Sequence, residues 1–164
     1  MMTALVRYED VLLGGAVATA LLTTILSASQ GLGISRLSLP FIVGAFFTPD
    51  RARANVYGAI FYFIGGWLFA LLYFWLFARL GNAGWFIGLL AGSLHGLFLL
   101  TVVLPLLPYI HPRMATDYDG PDVVARLEPP GFLGLNYGRR TPASTLIGHA
   151  IYGAVLGFFF GATP

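Results

Sequence analysis

The sequence predicts an all-α, multi-pass membrane protein: four transmembrane helices in a compact bundle, with a short interfacial or re-entrant segment after the first. Three observations carry this. The nine basic and seven acidic residues fall in four short windows, at 7–10, 36–53, 79 and 113–140, and residues 11–35, 54–78, 80–112 and 141–164 hold no Asp, Glu, Lys or Arg. Each uncharged stretch is long enough for a helix across a bilayer, which takes about 20 apolar residues. Hydrophobic residues make up 57% of the chain and charged residues only 10%, against about 25% charged in a soluble domain. With so few charges a water-facing surface cannot be built, so lipid must cover most of the chain.

The 164 residues suit one transmembrane domain with no separate soluble one. A net charge of +2, with no basic cluster interleaved with stacking aromatics, excludes a nucleic-acid groove. The absence of Cys excludes disulfides, thiol catalysis and Cys-ligated metals.

The first span is expected at about 10–30. Its Ser27-Ala28-Ser29 is similar to a signal-peptide cleavage site, but Glu9 and Asp10 stand where a basic n-region belongs, so the span reads as retained. Gly31-Leu32-Gly33 stops it. Residues 37–47 are apolar, hold Pro40 and are too short to span; they read as the interfacial or re-entrant segment. Thr48-Pro49-Asp50 predicts a helix start, with Thr48 as the cap and Pro49 at the first helical position. The second span then runs to about 78. Arg79-Leu80-Gly81-Asn82 makes a tight turn into a third span, about 84–104, which Pro105 and Pro108 disturb or end. A polar loop, 111–141, leads to Thr141-Pro142, which starts a fourth span at about 142–162 by the same capping logic.

Arg counting orients the chain. Arg7 and Arg79 share one side; Arg36, Arg51, Arg53, Arg113, Arg126, Arg139 and Arg140 share the other. That excess places the loops 31–48 and 111–141 in the cytoplasm and both termini outside, with the chain in the cell membrane. Tyr73, Trp75, Trp85 and Tyr109 are expected in aromatic belts. Two short likenesses, Val56-Tyr57-Gly58-Ala59-Ile60 with Ile151-Tyr152-Gly153-Ala154-Val155 and Leu12-Leu13-Gly14-Gly15 with Leu89-Leu90-Ala91-Gly92, are either a duplicated hairpin or chance.

Glycine spacing is the clearest local signal. Gly84, Gly88, Gly92 and Gly96 repeat every fourth residue, as do Gly153, Gly157 and Gly161. Residues four apart share a helix face, and small residues there let backbones meet closely in lipid. The stripes predict tight packing of the third and fourth spans, or a face for another protein. His149 stands four residues before Gly153, and His95 lies about 20° from the Gly88 direction, so both imidazoles face the bundle. Tyr62 and Ser93 are expected hydrogen-bond partners for His149. At about 1.5 Å per residue, His149 and His95 lie roughly 10 Å apart in depth, with His111 at the boundary. The three readings for these rings are interhelical hydrogen bonding, a proton or solute path, and a haem or metal site at His95 and His149. No carboxylate lies in any uncharged stretch, which counts against an ion-coupled carrier.

In the last loop, Asp117-Tyr118-Asp119-Gly120-Pro121-Asp122 is similar to a calcium loop without its terminal Glu and reads as a solvated turn. Residues 129–135 are apolar enough to lie on the membrane. Arg51 and Arg53 at one helix start, and Arg139 and Arg140 before another, are expected to meet anionic phospholipid headgroups.

Gly131-Phe132, Asn136-Tyr137-Gly138, Thr141-Pro142 and Gly148-His149 followed by Tyr152-Gly153, together with His111-Pro112 and the Gly/Ala/Thr-rich first span, resemble the pattern of a family of small bacterial integral membrane proteins known only as a domain of unknown function. That resemblance implies four-helix architecture in a bacterial inner membrane and brings no activity. The family's pattern has a His in the second span, where residues 57–66 of this chain have none. The expected function is non-enzymatic: an accessory or scaffold subunit of a larger membrane complex, partnered by the bilayer and by other membrane subunits or its own copies. The alternatives are a small oligomeric channel or carrier using His95 and His149, and a haem- or metal-binding membrane protein.

Overall fold

The computed structural model describes residues 8–116 and 120–161. Arg7, and Asp117 to Asp119 of the acidic loop, lie outside the described residues. The described residues are 75% helical and form no β-strand. Helix α1 covers Tyr8–Gly31, α2 Leu39–Ala45, α3 Arg51–Leu80 and α4 Trp85–Phe98. A π-helical turn, Leu99–Val103, leads into α5, Leu104–Ile110; a 3-10 turn, Phe132–Tyr137, precedes α6, Thr141–Gly161. Four stretches are long and apolar enough to cross a membrane: Glu9–Gly31, Arg51–Leu80, Trp85–Ile110 and Thr141–Gly161.

Three local expectations change. The cap of α3 is Asp50, not Thr48: its carboxylate accepts the Arg53 N–H at 2.8 Å, while the Thr48 hydroxyl accepts the Asp50 N–H at 3.2 Å. An anionic side chain gains more than a hydroxyl from the positive end of a helix. At α6 the Thr141 hydroxyl does not cap; it pairs with Ser35 Oγ at 2.8 Å, and the Arg140 carbonyl accepts the first helical bond from the Ser144 N–H. The third span also outruns Leu104. Pro105 has no N–H to offer the Thr101 carbonyl, and in a regular helix its ring would crowd that oxygen. The chain widens by one residue just upstream, so that the Leu104 N–H bonds to the Leu99 oxygen, and helix resumes to Ile110 with Pro105 in its first turn and Pro108 inside.

The chain forms two compact units. The first draws on Met1–Ile25, Phe63–Gly96 and Leu146–Pro164, so parts of α1, α3, α4 and α6 make a four-helix bundle. Its interior includes Val11, Ala18, Leu22, Ala70, Tyr73, Phe77, Tyr152, Leu156 and Phe160. Small residues set the spacing: a Cβ at Gly66 would overlap the Thr19 side chain, and one at Gly15 would meet Trp67 and Ala70. The Trp67 Nε1–H donates to the Leu12 carbonyl at 3.0 Å, joining α3 to α1.

The second unit draws on Leu26–Tyr62 and Leu97–Thr145. The short apolar segment is helix α2, laid backbone to backbone on the first turns of α3. A Cβ at Gly44 would overlap the Ala54 carbonyl, and one at Gly58 the Pro40 carbonyl. The carbonyls at the end of α2 are held from outside: His111 Nε2 donates to Ile42 O at 3.0 Å, and Arg113 donates to Ala45 O and Phe46 O at 2.8 and 2.7 Å. The Ala45 and Phe46 carbonyls lie past the last helical bonds, and the Ile42 carbonyl takes His111 beside the Phe46 N–H at 3.3 Å, so the His111-Pro112-Arg113 corner closes α2. Residues 129–138 form a compact turn, in which Leu133 takes a left-handed φ of 58° beside Gly131 and Gly134, and Gly134 packs on Leu104 and Thr141.

Candidate functional site

In the first unit, glycines bring α4 and α6 into backbone contact. A Cβ at Gly88 would overlap the Gly153 carbonyl, one at Gly92 the His149 carbonyl, and one at Gly157 the Gly84 carbonyl. Gly161 comes within contact of Ala83 and Gly84, whereas a Cβ on Gly84 itself would point into open space. Gly96 has a different use. A Cβ there would crowd the Cβ and ring of His149, at 3.0 and 3.4 Å, so the missing side chain makes room for the imidazole.

That seam sets the depth of the histidines. The His95 and His149 ring centroids are 5.0 Å apart, edge to face. The expected depth offset of roughly 10 Å took each helix end as a common boundary; the glycine register, not the ends, aligns the two helices. Tyr73 Oη lies 3.3 Å from His95 Nδ1, and Phe69 covers the His95 ring at 4.3 Å. The Tyr152 hydroxyl donates to the Gly66 carbonyl at 2.7 Å, using the carbonyl's second lone pair. Tyr73 is therefore a buried member of the bundle, 6% exposed, and not a belt residue; Trp75, Trp85 and Tyr109 are exposed. The Ser93 hydroxyl donates to Leu89 O of its own helix at 2.8 Å, and Tyr62 belongs to the second unit. The sequence reading missed Tyr152, although it stands three residues after His149 on the same helix face. The likeness between the two hairpins stops at the tyrosines: Tyr57 is 40% exposed and Tyr152 1%.

Two imidazoles and two phenols in an apolar bundle can hold helices together, pass a proton, or offer two nitrogens to a metal. No group of three or more His, Cys, Asp or Glu suited to a metal occurs among the described residues.

The second unit holds seven of the nine arginines. Of the four expected to meet headgroups, Arg51 lines a cavity, and Arg36 and Arg126 join it there. Arg53, Arg139 and Arg140 are exposed outside that lining. The start of α3 is already occupied by the Asp50 carboxylate, so the anion expected at that helix end has been replaced by a side chain. Arg36 pairs with Glu128 at 2.9 Å and donates to the Asn136 carbonyl. The Tyr137 hydroxyl donates to Glu128 O; burial first, then the Glu128 charge, pushes the phenol up to about 12. Asp122 accepts the Val124 and Ala125 N–H groups. These bonds, Ala125 foremost, hold its carboxyl below the usual range, so it closes its own turn. No family model, curated protein or solved structure matches the chain.

Proposed function

We propose that this chain is a non-enzymatic, multi-pass accessory or scaffold subunit that works by helix packing within a larger membrane assembly, in the cell membrane with both termini outside. The observation behind this is α3. It is the longest span, 30 residues, yet only 17% of its apolar window is buried, against 44% for α6. Its outward side chains include Ile60, Ile64, Leu68, Leu72 and Trp75, a continuous surface for a neighbouring helix of another subunit or another copy. The polar groups of the first unit support the same reading, because Trp67, Tyr73 and Tyr152 each bond one helix to another. Photo-reactive residues at Leu68 and Leu72 are expected to cross-link in cells to one defined membrane protein, while the same probe at Phe158 of α6 is not. Lipid adducts alone at both α3 positions, with a monodisperse monomer in mild detergent, would overturn the reading.

A second reading is favoured by the 5.0 Å approach of His95 and His149: a small channel or carrier, or a haem or metal protein, using these rings. The α4–α6 seam allows no water between the backbones at Gly88 and Gly92, so such a path would run on the Tyr73 and Phe69 side of His95. Stoichiometric metal, a Soret band or a current that is lost in His95→Phe or His149→Phe would make this the leading function.

A further inference from the structure

The cavity of the second unit carries an inference independent of the packing-subunit reading. It encloses roughly 370 Å³, within the range of small-molecule sites. Gln30 at the end of α1 and Arg51 and Asn55 at the start of α3 all line it. Two spans thus end on this cavity, which puts it at the depth where a bilayer carries its phosphates. Three arginines line it, Arg36, Arg51 and Arg126. One carboxylate, Glu128, shares the lining, and it is bound to Arg36. Arg126 donates through Nε to the Val123 carbonyl, which leaves its terminal nitrogens free to turn to a ligand. Arg51 stands 6.0 Å from the centre of the Phe41 ring, a contact that orients the guanidinium without neutralising it. Among the described residues neither Arg51 nor Arg126 forms an ion pair. Among the described residues, then, two cations without an ion pair share one concave site with the Asn55 amide, and Asp122 acts on Arg126 only through its charge.

We propose that this cavity binds the phosphate of an anionic headgroup, with Arg51 and Arg126 as its ligating cations and the Arg36–Glu128 pair as its third wall. The planar fork of Arg matches phosphate oxygens two at a time. Phe41 and Ile42 of α2 give the same cavity an apolar side, which suits the glycerol and first methylenes of a phospholipid. A zwitterionic choline lipid would bring a cation against the arginines and is disfavoured. The shared chemistry is a phosphate ester, and its source is either a lipid or a soluble phosphate.

The test uses the full chain purified in a neutral detergent, with phosphatidylglycerol, phosphatidylcholine and inorganic phosphate as probes, read by native mass spectrometry and by thermal shift. One phosphatidylglycerol is expected to stay bound and to raise the melting temperature, while phosphatidylcholine does not. Arg51→Ala and Arg126→Ala should each weaken that binding by roughly tenfold, the loss of about one charged hydrogen bond. Glu128→Gln should strengthen it, because Arg36 is released. The double variant Arg139→Ala/Arg140→Ala, outside the lining, should bind as the natural chain does and serves as the control for fold. An equal response to inorganic phosphate would keep the phosphate site and assign it to a soluble ligand. Equal binding of phosphatidylcholine, no binding of either lipid or phosphate, or unchanged binding in the Arg51 and Arg126 variants would overturn the proposal.

Discussion

His111 is held as a neutral ring by two bonds of opposite polarity. Nε2 donates to the Ile42 carbonyl, and Nδ1 accepts the Arg113 N–H at 3.1 Å. A proton added to Nδ1 would face another N–H. Burial lowers the His111 pKa from its ordinary 6.5; the Ile42 bond opposes this, and the charge of Arg113 adds to it. Because the folded value lies below the unfolded one, the unfolded chain takes up the proton first as pH falls. The stabilisation is complete above 6.5 and is lost as pH drops through the folded value. Melting followed from pH 7.5 to 5 should show stability falling with a slope of at most about 1.4 kcal/mol per pH unit from this group, and His111→Asn should flatten that slope. A slope unchanged in the variant would mean that other groups set it. The role of His111 could not be read from its neighbours in sequence, since its acceptor lies 69 positions away and nothing in the local pattern names Ile42.

At the scale of the element, the glycine stripes and the pairing of the third span with the fourth were legible, and their register was not. Spacing of four marks a face on each helix, but the pairing of Gly88 with Gly153 and of Gly157 with Gly84 depends on how far two distant segments slide before their backbones touch. The stripes are also less uniform than their spacing. Gly84→Ala should be nearly neutral, because its Cβ meets open space, whereas Gly88→Ala must push the Gly153 carbonyl away. Overpacking of this kind costs roughly 1–3 kcal/mol, so Gly88→Ala should melt at a clearly lower temperature in detergent than Gly84→Ala. Equal melting of the two would remove the α4–α6 seam as the determinant of register. Helix α2 was legible as an element too short to span, and its tight seat on α3 was not. Gly44 and Gly58 belong to no regular stripe, and only their contacts explain them.

For the whole molecule, the spans were the most legible feature, because a bilayer penalises an unpaired charge at almost any depth and so clears the sequence of them. The cavity arginines were not, because Arg36, Arg51 and Arg126 come from three loops or helix ends that only folding brings together. The proposed sidedness rests on the arginine bias of the loops. The chain contains no Cys, so single cysteines can report it. A membrane-impermeant maleimide should label position 82 on intact cells and position 123, where Val123 is 80% exposed, only after permeabilisation. The opposite pattern would invert the topology and place the phosphate cavity at the outer leaflet.

The widened turn at Leu99–Val103 has a consequence for how this chain can change length. Along the third span the buried positions Gly88, Gly92, Gly96, Leu100 and Leu104 recur every fourth residue. In an α-helix each such step overshoots a full circle by about 40°, so the buried line drifts steadily around the helix. A π turn holds more residues than an α turn, so the same step there falls short of a full circle and brings the line back. The extra residue works as a phase correction. Deleting any one of residues 99–103 would return the stretch to a regular α-helix with its downstream half at nearly its present angle, because the π turn absorbs one residue more than the α turn that replaces it, and it would set the ring of Pro105 against the carbonyl four residues before it. The phase of the helix thus tolerates the loss of the extra residue while Pro105 opposes it, so a shortened third span is expected to need a replacement of that proline as well.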